Sequence, residues 1–296
     1  MAAPFPRPLR LGTRGSPLAL AQARMAAEAL RAAHGWDEEA VEIVPITTTG
    51  DVIQDRPLAE VGGKALWTKE LDRCLIEGRT DLSVHSMKDV ETIRPEALAI
   101  AAMLERADPR DRLVGADEVA DLAQGARVGT SSPRRRAQLL ARRPDLEIVT
   151  LRGNVQTRLA KLERGEADAT LLAAAGLDRI GLGGVGTAID DMIPAPAQGA
   201  VGIEVLADNR AVRAAVEAVD HVATHRCVDA ERAFLAALGG DCRSAVAAHA
   251  RGAVLEAEIL SPDGAEVRRG ENEDPAALAR LLLERASPAL RAMFAA

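Results

Sequence analysis

Three groups of residues in this 296-residue chain have types and spacings that could do chemistry. The first is HSMKDV, His85 to Val90, which follows a short apolar run. The C-terminal ends of strands are where α/β proteins present ligand-binding side chains, so Lys88 next to Asp89 reads either as an acid/base couple or as a surface ion pair. The second is Cys242 in GGDCRS. Glycines there allow close approach, Arg243 favours a thiolate and Asp241 opposes it, so the thiol reads as reactive or as inert. Cys74, spaced with Leu71 and Leu75, and Cys227, spaced with Ala230 and Phe234, read as helix core. An odd cysteine count with long spacings supports neither a disulfide framework nor a CxxC metal site. His221 and His225 share a helix face, but HVATH lacks the glutamate of HExxH and no third ligand stands out. They read as exposed helix histidines, and no metal is expected.

The third group is arginine. Arg14 lies in LGTRGSP, Arg134, Arg135 and Arg136 follow VGTSSP, and Arg152 and Arg158 belong to LRGNVQTRL. A guanidinium at a helix N-terminus opposes the helix dipole, so an anion in front of it is the better explanation. Arginine's fixed fork suits carboxylate or phosphate. Arg142 and Arg143, further along the second helix, read as solvated faces.

The elements that must position these groups alternate. Strands are predicted at 7–12, 41–47 and 81–85, with helices at 17–33 and 66–77, the first capped by Ser16 with Pro17 at its first position. The pattern then recurs. LGTRGSP returns as VGTSSP, VEIVPITTTG as LEIVTLRGN, and GRTDLSV as GEADATL, in the same order. Two copies of one α/β unit are the reading, and two such units would flank a cleft suited to an anion. Residues 51–67 form a long polar connection of the kind that serves as a lid or binding loop. From Asp220 the pattern changes to a helix over 222–238, strands at 244–250, 253–260 and 266–269 with an SPDG turn, and a last helix over 275–294. The glycine runs at 181–186 and 199–202 lack the strand-GxGxxG-helix setting, so no dinucleotide fingerprint is present.

Composition bounds the rest. The chain is 48% hydrophobic and 27% charged, which is ordinary for a globular protein of two or three domains and argues against disorder or fibre. A net charge of −7 excludes a broadly basic nucleic-acid surface, and aromatics at 2% with no tyrosine exclude base-stacking platforms. No uncharged apolar run reaches membrane-spanning length, and Met1 to Leu9 carries three prolines and no apolar signal region. The expectation is a cytoplasmic protein without nucleic-acid or membrane partners. Only four lysines accompany the arginines, and Lys64, Lys69 and Lys88 fall close together.

Taken in series, TRGSPLALAQ, VGGKALWTKEL, HSMKDV, ERADPRD, GTSSPRRRAQL, RRPDL, LRGNVQTRL, AAAGLDRIG, PAQGAVGIE and GGDC cover essentially the whole chain. With them the chain resembles the porphobilinogen deaminase family. That resemblance implies an α/β fold with two type II periplasmic-binding-protein-like domains around a cleft, residues 1–104 with 199–218 and residues 105–198. A small C-terminal α+β domain, 219–296, would carry a dipyrromethane cofactor in thioether linkage to Cys242. It implies a monomeric transferase that condenses four porphobilinogen molecules head to tail with loss of ammonia. Hydrolysis then frees hydroxymethylbilane for porphyrin and haem biosynthesis. Asp89 matches the family's catalytic aspartate, which would stabilise the cation formed as the amine leaves. The residues matched to cofactor and substrate binding are Arg14, Ser16, Gln22, Lys64, Ser86, Lys88, Thr130, Ser131, Ser132, Arg134, Arg135, Arg152, Gly153, Arg158, Arg179, Gln198 and Gly199. The chain departs from the family where Glu60 replaces a frequent lysine, Trp67 a phenylalanine and Pro133 a leucine, and where RSAVAAHA follows the cysteine. The rival reading is a non-catalytic protein binding a small anion in the same two-domain cleft.

Overall fold

A computed structural model describes residues 5–48, 68–240 and 244–294. The chain divides into two compact units, Met1–Ala107 with Ala200–His225, and Asp108–Gly199 with Arg226–Ala296. The expectations placed on Glu60, Lys64, Trp67 and Cys242 fall outside the described residues.

The first unit is built on β1 (Leu9–Arg14), β2 (Val41–Ile46), β3 (Leu82–Ser86), β4 (Leu98–Met103) and β10 (Val201–Leu206), in the order β2-β1-β3-β10-β4. β1 runs parallel to β2 and β3, while β10 is antiparallel to β3 and β4. Helix α1 (Pro17–His34) begins as its sequence predicts: Ser16 accepts from Ala19 N–H at 3.3 Å, and Pro17 takes a position whose N–H would be unused. It ends on left-handed Gly35. Its small face, Ala23, Ala26, Ala27 and Leu30, is buried with Leu9, Leu11, Leu82, Ile203 and Val205, and burying a leucine or isoleucine contributes about 1.5–3 kcal/mol. Helices α2 (Lys69–Ile76) and α6 (Arg210–Glu217) complete the unit.

Within the second unit, residues 108–199 repeat the first. Strands β5 (Asp111–Val114), β6 (Arg127–Gly129), β7 (Glu147–Val149), β8 (Ala169–Ala173) and β9 (Thr187–Ile189) take the order β7-β6-β8-β5-β9. Here β6 is parallel to β7 and β8, and β5 is antiparallel to β8 and β9. Position by position this is the first sheet again. The repeat reaches single hydrogen bonds. Arg10 N–H donates to Asp81 at 2.8 Å, its guanidinium to Gly78 C=O, and Asp81 N–H back to Arg10 C=O. Arg127, Asp168 and Gly165 do the same, with Arg127 N–H to Asp168 at 2.7 Å. The α/β class and the duplication are therefore observed, in two sheets of the same strand order and direction. Helices α3 (Pro133–Arg142), α4 (Val155–Glu163) and α5 (Ala174–Arg179) follow the strands.

After helix α7 (Val222–Ala237) comes an antiparallel sheet of β11 (Val246–Arg251), β12 (Val254–Leu260) and β13 (Val267–Asn272). It is packed through Phe234, Leu255, Ile259, Leu278 and Leu282 against helix α8 (Pro275–Arg285). The last predicted helix is two. Ala286 and Ser287 are extended, and Ser287 caps α9 (Pro288–Ala292). Pro288 cannot donate into α8 and forces the residue before it out of helical geometry.

Arg142 and Arg143 are not solvated faces. Arg142 pairs with Asp191 at 2.9 Å. Arg143 pairs with Asp145 at 2.8 Å and donates to the carbonyls of Val119 and Leu122, so it stitches a surface turn.

Candidate active site

In the first unit the candidate residues meet at the C-terminal end of β3. A pocket there is lined by Arg14, Ser16, Gln22, Ser86 and Asp89. Gln22, buried on α1, exchanges two hydrogen bonds with Ser86 at 2.8 and 2.9 Å. Ser16 stands at the α1 N-terminus, where the helix dipole favours an anion. Asp89 ends a one-turn helix, Met87–Asp89, that continues directly from β3. Its half-buried carboxylate makes no hydrogen bond or ion pair among the described residues. Lys88, its half-buried neighbour, does have a partner.

Beneath this pocket lies a buried charge cluster that the motifs did not reveal. Glu204, fully buried on β10, accepts from Arg94 at 2.8 and 2.9 Å and lies 3.1 Å from His85 Nε2. Arg94 also donates to Asp72 at 2.5 Å and to Glu91 at 2.6 Å. Burial would raise the Glu204 carboxyl, but His85 and Arg94 bring it down to about 2. Burial dominates at Asp72 and raises its pKa in spite of Arg94.

In the second unit the centre is Asp111, 1% exposed, at the start of β5. Arg134 reaches it at 2.8 Å, Arg135 at 2.7 Å and Gln198 Nε2 at 2.7 Å. Burial would raise the Asp111 carboxyl, but the two guanidinium groups hold it far below the usual range. Burial lowers Arg134, which Asp111 counteracts, and its Nε is buried without a hydrogen bond among the described residues. Arg135 also donates to Leu171 C=O. Ser132 caps α3, Thr130 accepts from Ser132 N–H, and Ser131 donates to Leu151 C=O at 2.8 Å.

Gly153, at a φ of 116° open to glycine alone, makes the turn into α4, and its carbonyl accepts from Arg158 at 2.9 Å. Arg152 precedes that turn and is half-buried. Arg179 donates to Gly199 C=O at 2.7 Å. Burial lowers its pKa to about 10, well above neutrality, and its Nε has no hydrogen bond among the described residues. Ala197, left-handed at φ 60°, precedes Gln198, and its N–H donates at 2.6 Å to fully buried Glu231 on α7.

Asp111, Arg94, Glu204 and Glu231 were not read as functional from sequence. The available signal was a lone acid in an apolar run, as in VGIEVL. Cys74 is core, as expected, while Cys227 is half-buried against the C-terminal cluster. His225 pairs with Asp220 at 2.7 Å, and His221 accepts from Thr224 N–H.

Fold and site together define an α/β protein built from a duplicated five-stranded unit. Residues 9–214 match the family model "Porphobilinogen deaminase, dipyromethane cofactor binding domain", and residues 225–287 match "Porphobilinogen deaminase, C-terminal domain". The chain is 57% identical to a porphobilinogen deaminase of Sphingopyxis alaskensis, over 97% of both chains. It is 51% identical to one of Caulobacter sp., over 93% of this chain and 90% of the other. The chain belongs to the porphobilinogen deaminase family. Solved structures similar to it include a nutrient binding protein of Burkholderia cenocepacia bound to methionine (16% identity, TM-score 0.43, 71% of this chain and 91% of the other). Another is a periplasmic binding protein of Silicibacter pomeroyi in complex with lysine (18%, 0.41, 71% and 88%). Among the described residues no helix is long and apolar enough to cross a membrane.

Proposed function

We propose that this chain is a hydroxymethylbilane synthase, joining four porphobilinogen molecules head to tail with loss of one ammonia at each addition. Water then releases the linear tetrapyrrole. The observation that carries the reading is the half-buried Asp89 carboxylate at the end of β3, without a partner among the described residues, in a pocket shared with Arg14, Ser16, Gln22 and Ser86. A carboxylate so placed can hold pyrrole N–H groups. It can also stabilise positive charge as the amine leaves protonated, an interaction stronger in the transition state than before it.

The family's dipyrromethane carries acetate and propionate groups, and the donors of the second unit fit such a ligand. Among the described residues Arg134 and Arg179 each keep a buried Nε without a hydrogen bond, a feature suited to an added carboxylate. Ser131, Arg135, Arg152, Arg158 and Arg179 would hold the carboxylates, with Cys242 as the attachment point. When bound, the group supplies the pyrrole carbon from which the chain grows. The first unit would orient the incoming porphobilinogen through Arg14, Ser16 and Lys88. We further place the protein in the cytoplasm as a monomer.

Incubation with porphobilinogen tests the reading. One ammonia per porphobilinogen consumed, with hydroxymethylbilane as product, is the expected result. Saturable binding of porphobilinogen with no ammonia released would instead define a binding protein.

A further inference from the structure

We propose that Arg94 is a positioning residue for Asp89, fixing the turn that presents this carboxylate; the inference rests on the reading of Asp89 given above. Among the described residues the Asp89 side chain has no partner, so within them the backbone sets its place. That backbone is held on both sides. Ahead of it, Ser86 pairs with Val201, and Met87 N–H donates to Ala200 C=O at 3.1 Å. The buried Met87 side chain lies over Gly202, where a Cβ would collide with its sulfur. Behind it, Val90 N–H closes the turn onto Met87 C=O.

The next fixed point is Glu91, which accepts from Arg94 Nη1 at 2.6 Å and from Thr68 Oγ at 3.0 Å. Arg94 carries this grip into the sheet. Its Nε and Nη2 fork onto Glu204 of β10, and Nη2 also reaches Asp72 of α2. One guanidinium, 9% exposed, thus ties the segment just after Asp89 to a central strand and to a helix. The groups facing it are the carboxylates of Glu204, Asp72 and Glu91, with His85 beside Glu204. A lysine keeps the charge but cannot span three carboxylates in fixed directions. Small misplacements of a reacting group are costly, up to about a hundredfold for an ångström.

The test uses the full-length holoenzyme in single turnover, with bound intermediates followed by mass. Arg94→Lys retains a cation among the buried acids. Glu91→Ala leaves Arg94 on Glu204 and Asp72 and removes its link to the Asp89 segment. Thr68→Val, which removes the Thr68 hydrogen bond to Glu91 but keeps Arg94 on it, should add porphobilinogen near the wild-type rate, so the pair decides the matter if the lysine variant folds poorly. Arg94→Lys and Glu91→Ala should both keep the cofactor mass and slow porphobilinogen addition about tenfold or more, with little change in KM. In an Asp89→Asn background neither should slow the reaction further, because the effect passes through Asp89. A wild-type addition rate in Glu91→Ala, or an equal loss with and without Asp89, would overturn the proposal. A wild-type enzyme that adds no porphobilinogen would instead refute the proposed function.

Discussion

Arg135 closes on Asp111 through two hydrogen bonds, at 2.7 and 3.2 Å, with both side chains almost wholly buried. Arg134 approaches the same carboxylate, so two candidate binding arginines are fixed by one acid. Removing a partner from such a buried group leaves an uncompensated charge and costs about 3–5 kcal/mol. Arg135→Leu and Asp111→Asn should therefore lower stability by that order in denaturant unfolding. Arg152→Leu, at a half-buried position on a turn, should weaken cofactor assembly or elongation with little loss of stability. Equal destabilisation by Arg152→Leu and Arg135→Leu would contradict this division.

Glu204 gives the acid response a sign. Its folded pKa of about 2 lies below the ordinary 4.5. The stability from its ionised form is complete above about 4.5 and is lost as pH falls toward 2. Asp111, also depressed, acts in the same direction. Unfolding followed from pH 6 to pH 3 should show the difference between wild type and Glu204→Gln shrinking as pH falls. A difference that grows toward pH 3 would reverse the assignment.

How much of this was legible from sequence follows the range of the interactions. Ser16, Ser132 and Asn154 cap helices three residues on, so short motifs carry that information. The repeat was readable because GRTD and GEAD keep the aspartate and glycine that Arg10 and Arg127 each use. Asp111, by contrast, meets Arg135 across 24 residues, and Arg94 meets Glu204 across 110. No local spacing encodes those pairings. The break at Ser287 was local and readable, since Pro288 interrupts a pattern otherwise periodic.

The three cysteines should separate by mass. Cys242→Ser should give a folded, inactive protein whose intact mass lacks two linked pyrroles and which gives no colour with an aldehyde reagent for pyrroles. Cys74→Ala, in the core, and Cys227→Ala, half-buried, should retain cofactor and activity. A Cys242→Ser protein that still carries the cofactor would move the attachment elsewhere.

The central claim is that the Asp89 charge drives each addition of porphobilinogen. Asp89→Asn keeps the shape and one acceptor oxygen, whereas Asp89→Glu keeps the charge but displaces it by a methylene. The most direct measurement is the single-turnover rate at which holoenzyme mass climbs by successive pyrrole units. The account predicts a climb far slower in Asp89→Asn than in Asp89→Glu, with both variants folded and still loaded with cofactor. An Asp89→Asn enzyme that climbs at the wild-type rate would contradict it.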